Sequence, residues 1–162
     1  MKTNLLVTLI LLLCTLSVTQ AQNNLPDSHV TLGVGVGMPY GGLGSKVVIG
    51  YRNSGLMIGV GYMPTGLLGY ELGGQISVES FYFNLGYGVA GTYQVNDEPV
   101  QPIKCGNFML GYMVGLDKMK NVFLDIGIGH TMGAPIVQIG PFEAKQGGVT
   151  LALGVGVRLA KK

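Results

Sequence analysis

Charge is what this chain has least of. Lys, Arg, Asp and Glu make up 11% of its 162 residues, where a soluble domain carries about 25%. Cysteine is nearly absent, at two residues, and there is no tryptophan. With Cys14 inside an N-terminal apolar run, only Cys105 remains in the rest of the chain, which excludes a disulfide framework. No His or Cys stands at metal-ligand spacing beside Cys105, which argues against a metal site. Cofactors are not expected. Ten basic residues against eight acidic ones, with no basic cluster, argue against a nucleic-acid partner. After residue 21 no apolar run reaches the ~20 residues of a spanning helix.

What is present is glycine, 28 residues of it, in a chain of positive mean hydropathy. The first 21 residues have an early Lys2, an apolar run from Leu5 to Val18, and a small-residue ending at Thr19-Gln20-Ala21. That order predicts a secretory signal peptide over 1–21, cleaved after Ala21. Bulky Leu13 before Cys14 speaks against a lipoprotein. Residues 22–27 then form a short N-terminal segment, and 28–162 one domain. A hydropathic chain without spanning helices can cross a bilayer only as a closed β-barrel.

Period-two alternation supports that reading over eight segments: 30–37, 43–52, 56–63, 68–78, 81–90, 107–116, 122–129 and 149–159. Val30, Leu32, Val34 and Val36 alternate with Thr31, Gly33, Gly35 and Gly37; Leu124, Ile126 and Ile128 alternate with Phe123, Asp125, Gly127 and Gly129. Most segments are close to the ~9–11 residues of a tilted membrane strand. The connections 53–55, 78–80 and 117–120 are short, while 38–42, 64–67, 95–106 and 133–148 lie at the other end, the last two being long. Short turns on one side and longer loops on the other predict an all-β, eight-stranded antiparallel up-and-down transmembrane barrel.

A lipocalin-like soluble barrel would show a charged face to water. Here the second face is mostly Gly, Ala, Ser and Thr with about one charge per strand, which suits a narrow lumen. Tyr51, Phe81 and Phe123 at the turn end, and Tyr40, Tyr70 and Tyr93 at the loop end, are placed for aromatic girdles, although alternation puts Phe123 on the small-residue face. The Ala21-Gln22 junction, the Leu85–Gly88 and Gly154–Val157 repeats and the closing GVTLALGVGVRLA resemble the small outer-membrane β-barrels of the OmpA/OmpX type, in particular Bacteroidetes-like ones, over residues 28–160. The resemblance implies export to the bacterial outer membrane, with lipid and the barrel-insertion machinery as partners. The chain departs from the family at its end, where Val157 and Leu159 stand in place of the usual terminal aromatic.

The inward charges read from the alternation are Lys46, Arg52, Glu71, Asp125 and Arg158, with Glu79 at a turn. A buried unpaired charge costs several kcal/mol, so these residues are expected to form a lumen network, Asp125 meeting Arg158 and Lys46 meeting Glu71. His29 is expected at a solvated rim. His130, at the outer end of its strand, is the candidate base for a lipid A-modifying reaction, with Thr131 adjacent and Ser45 on the second strand. Gly33, Gly35 and Gly37 lack the spacing and the following helix of a phosphate loop. The expected role is structural, surface-interacting or anchoring, with a closed polar lumen and loops 95–106 and 133–148 open to extracellular ligands. A lipid A-modifying enzyme and a narrow solute channel are the alternatives.

Overall fold

The computed structural model describes residues 28–94, 99–117, 121–132, 136–139, 142–145 and 148–161. The expected signal peptide, its cleavage site and the segment 22–27 lie outside the described residues. β-Branched and aromatic residues alternating with small ones fit a pleated surface that has one crowded and one open face. Among the described residues ten strands form: β1 (Ser28–Gly37), β2 (Gly42–Tyr51), β3 (Ser54–Tyr62), β4 (Leu68–Val78), β5 (Phe81–Tyr93), β6 (Gln101–Gly115), β7 (Val122–Met132), β8 (Ile136–Ile139), β9 (Phe142–Lys145) and β10 (Val149–Lys161). Eight of them close into an antiparallel barrel of order β1-β10-β7-β6-β5-β4-β3-β2. Closure satisfies every strand edge with a neighbour. β8 and β9 pair with each other in a separate two-stranded sheet, as a hairpin within the connection from β7 to β10.

The faces are inside out relative to a water-soluble domain. Leu56 and Val149 are 72% and 71% exposed, and every barrel strand presents large apolar side chains outward, among them Val34, Ile49, Leu72, Phe81, Leu110, Ile128 and Leu151. The buried residues include Lys46, Glu71, Asp125, Asn84 and Asn107. The interior also holds more bulk than the small-residue face suggested: Tyr40, Tyr82, Met109, Met113, Phe123 and Ala152 form one buried cluster. Tyr40 and Phe123 are therefore lumen residues and not part of an aromatic girdle.

Of the boundaries that differ from the sequence expectation, three change the connections. β6 begins at Gln101, so 101–106 belong to the wall and not to a loop; β5 extends to Tyr93 to pair with them, across a register shift between Val89 and Gly91. The connection 133–148 contains the β8–β9 hairpin. The β2–β3 turn is only Arg52-Asn53, because Tyr51 pairs directly with Ser54.

Arg52 (φ 52°) and Glu79 (φ 56°) each open a two-residue turn in the left-handed region. That region costs an L-residue ~1–2 kcal/mol, while glycine loses ~0.5–1 kcal/mol more chain entropy on folding. Glu79→Gly is therefore expected to stabilise the barrel by about 0.5–1 kcal/mol. Equilibrium urea unfolding would read this as a higher midpoint at unchanged slope.

Candidate functional site: a plugged lumen

The connection between β1 and β2 does not extend away from the barrel. Met38–Tyr40 form a 3₁₀ turn whose side chains are all buried, and it packs against β1 to β5 and β10. Pro39 presets one turn of the right φ. Gly37 (φ 116°) and Gly41 (φ 66°) supply the two left-handed bends that turn the chain inward and out again, and the Gly41 N–H donates to the Met38 carbonyl at 2.8 Å. The consequence is a plug made from the chain's own first connection.

Tyr40 reaches from this plug across the wall positions Gly33, Gly35 and Gly154, where a side chain would meet its ring or hydroxyl. From β5, Tyr82 fills the space left by Gly111 and Gly127. The two hydroxyls converge on one carboxylate: Tyr40 Oη donates to Asp125 Oδ2 and Tyr82 Oη to Asp125 Oδ1, each at 2.5 Å. Lys46 forms an ion pair with Asp125 Oδ2, and its ammonium lies 4.9 Å and 5.0 Å from the Tyr40 and Tyr82 ring centroids. Asp125 and Lys46 are 0% and 2% exposed. Both carboxylate oxygens are thus occupied, and the cation lies between two π faces that favour it.

The expected pairing of Asp125 with Arg158 is not the one formed. Asp125 is opposite Gly154, whereas Arg158 sits four residues farther along β10, opposite Thr31 of β1. Four residues of strand are ~13 Å. Arg158 instead directs Nη2 to Met113 Sδ at 3.5 Å. Lys46 outcompetes it because an eight-stranded barrel is narrow enough for side chains to meet across the lumen. Glu71 accepts a hydrogen bond from Asn107 Nδ2 at 2.9 Å, not one from Lys46. Arg52 is not a lumen residue; it is exposed at its turn, its guanidinium 5.4 Å from the Tyr51 ring centroid. His29 is buried over Gly50, not solvated at a rim.

His130 faces outward, stacked on Phe108 with ring centroids 6.1 Å apart at 20°. Ser45 also faces outward, but on β2, which is separated from β7 by β10 and β1. Thr131 is buried and bonded to Gly148, whose N–H donates to Thr131 Oγ1 at 2.7 Å. The structure therefore brings neither hydroxyl to the imidazole. It does bring together Lys46 and Asp125, and adds Tyr40 and Tyr82, which the sequence reading did not include in the network. Alternation did place Tyr82 inward; no local signal marked Tyr40, which lies in a stretch of loop composition.

No family model matches this chain, and no curated protein matches it. Among solved structures it is similar to the crystal structure of the N-terminal β-barrel domain of Pseudomonas aeruginosa OprF, at 14% identity over 83% of this chain and 98% of that one, with a TM-score of 0.47.

Proposed function

We propose that this chain is an exported outer-membrane barrel whose role is structural and anchoring, and which presents the 94–100 and 133–148 connections at the cell surface. The observation that supports it is the continuous outer face of large apolar side chains on all eight barrel strands, with the paired residues Lys46 and Asp125 buried inside. In water such a face would leave several kcal/mol unrealised, since burying a Leu or Ile is worth ~1.5–3 kcal/mol. In lipid it is the stable arrangement. The plug of Met38–Tyr40 and the ring-filled lumen favour a closed barrel over a solute channel.

Outer-leaflet and inner-leaflet lipid and the barrel-insertion machinery would be the immediate partners. Short turns at 52–53 and 79–80 would face the periplasm. Loops carry variable chemistry on a rigid scaffold, so any ligand would meet the opposite end.

Membrane fractionation combined with gel migration before and after boiling tests this reading. The expected result is recovery in the outer-membrane fraction, a faster-migrating unboiled form, and no conductance steps in a planar bilayer. A protein recovered in the periplasm that migrates identically with and without heating overturns the membrane assignment.

A further inference from the structure

A second polar cluster lies on the inner faces of β4, β5 and β6. Gln75 is directly opposite Asn84. Asn84 is opposite Met109, which makes Asn107 its diagonal neighbour on the same face. The Glu71 carboxylate lies over Gly86, the residue opposite Asn107, and a Cβ at Gly86 would collide with Glu71 Oε1. Glu71, Asn84 and Asn107 are 0% exposed and Gln75 is 4%.

Each of these four side chains has a buried oxygen without a hydrogen-bond partner: Glu71 Oε2, Gln75 Oε1, Asn84 Oδ1 and Asn107 Oδ1. The nitrogen ends of two are engaged, Gln75 Nε2 with Ser77 Oγ at 3.0 Å and Asn107 Nδ2 with Glu71 Oε1 at 2.9 Å. A carboxylate oxygen accepts, so the Asn107 bond leaves that amide's oxygen over; the Ser77 hydroxyl takes either end of Gln75, here the nitrogen. Asn84 has neither end engaged and can turn its oxygen to the same space. Four buried acceptors on neighbouring inward positions of three adjacent strands call for a positive partner.

Among the described residues no cationic side chain is bonded to these oxygens. The Lys46 ammonium is bonded to Asp125. Arg158 directs its Nη2 to Met113 Sδ instead. We propose that an alkali-metal cation, Na⁺ or K⁺, binds in the lumen on Glu71, Gln75, Asn84 and Asn107. All four donors are hard oxygens, and among the described residues no three of His, Cys, Asp and Glu gather to favour a transition metal. The set carries one formal negative charge. A monovalent cation brings it to zero, whereas a divalent one leaves a net positive charge in the interior near Lys46.

Thermal unfolding of the detergent-solubilised barrel in NaCl, KCl and choline chloride at equal ionic strength tests the site. A bound ion raises the midpoint, because only the folded lumen assembles the four oxygens. The expected result is a midpoint roughly 5–10 °C higher in NaCl or KCl than in choline chloride. Glu71→Gln and Asn84→Leu are each expected to remove that difference. If neither variant folds, infrared spectra of the wild-type barrel decide: exchange of choline for sodium or potassium shifts a carboxylate stretch. Equal midpoints in all three salts, a response to Ca²⁺ alone, an undiminished alkali response in both variants, or a protonated-carboxyl band that persists in sodium and potassium overturns the proposal.

Discussion

Asp125→Ala is expected to lower the unfolding free energy of the barrel by about 3–5 kcal/mol, the cost of leaving one member of a buried ion pair alone. The substitution strands three groups at once. Lys46, 2% exposed, loses its counter-ion, and the Tyr40 and Tyr82 hydroxyls lose their acceptor. An unsatisfied buried hydroxyl costs ~1–3 kcal/mol, though the three losses share one partner and do not add. The discriminating comparison is Lys46→Met with Asp125→Leu. Removing both charges leaves no unpaired ion, so the double variant should be more stable than Asp125→Ala by about 2 kcal/mol. The chain has no tryptophan, so urea titrations are best followed by heat-dependent gel migration or circular dichroism. An Asp125→Ala barrel that unfolds at the wild-type urea concentration would show that Asp125 does not organise the lumen. The Arg158 pairing expected from strand neighbours makes a different prediction. It requires Arg158→Met to be as harmful as Lys46→Met, whereas the observed contacts leave Arg158 against a thioether.

The barrel was legible because period two is unambiguous where one face meets lipid. Leu43, Ile49 and Tyr51 against Lys46, Val48 and Gly50 assigns every side chain of β2 to its observed face. Legibility failed where the alternation stops being apolar against small. Residues 101–106 contain Pro102 and Lys104, both of which face outward and are exposed, so β6 continues without its sequence signature. The ion pair was only half legible. Alternation put Lys46 and Asp125 in the lumen, but their meeting depends on the barrel's width and stagger, which neighbouring-strand logic does not contain. The plug was not legible at all. Gly-Met-Pro-Tyr-Gly is an ordinary loop composition, and its inward course depends on the empty wall positions that receive Tyr40.

Those wall positions make the second large effect. Tyr40→Ala removes the ring that fills the space over Gly33, Gly35 and Gly154, together with one hydrogen bond to Asp125. Large-to-small changes of buried aromatics cost ~3–5 kcal/mol, and a similar loss is expected here. Gly154→Ala attacks the same contact from the other side. Its Cβ would meet the Tyr40 hydroxyl, so the ring must leave its place or β10 must shift, for a cost of about 1–3 kcal/mol. The two costs are not independent. Once Tyr40 is alanine, the methyl at residue 154 is relieved of the ring and clashes only with the Val34 carbonyl among its three nearest contacts, at 2.8 Å. Gly154→Ala should therefore cost at least 1 kcal/mol less in the Tyr40→Ala background than in the wild type, a coupling within the range found for contacting residues. Urea midpoints of the four proteins measure it directly. Strictly additive costs would mean that Tyr40 does not occupy the glycine-lined space, and the first connection would then be an ordinary surface loop. A coupling of the expected sign ties the glycine content of this chain to one purpose: the wall is thin where the plug is thick.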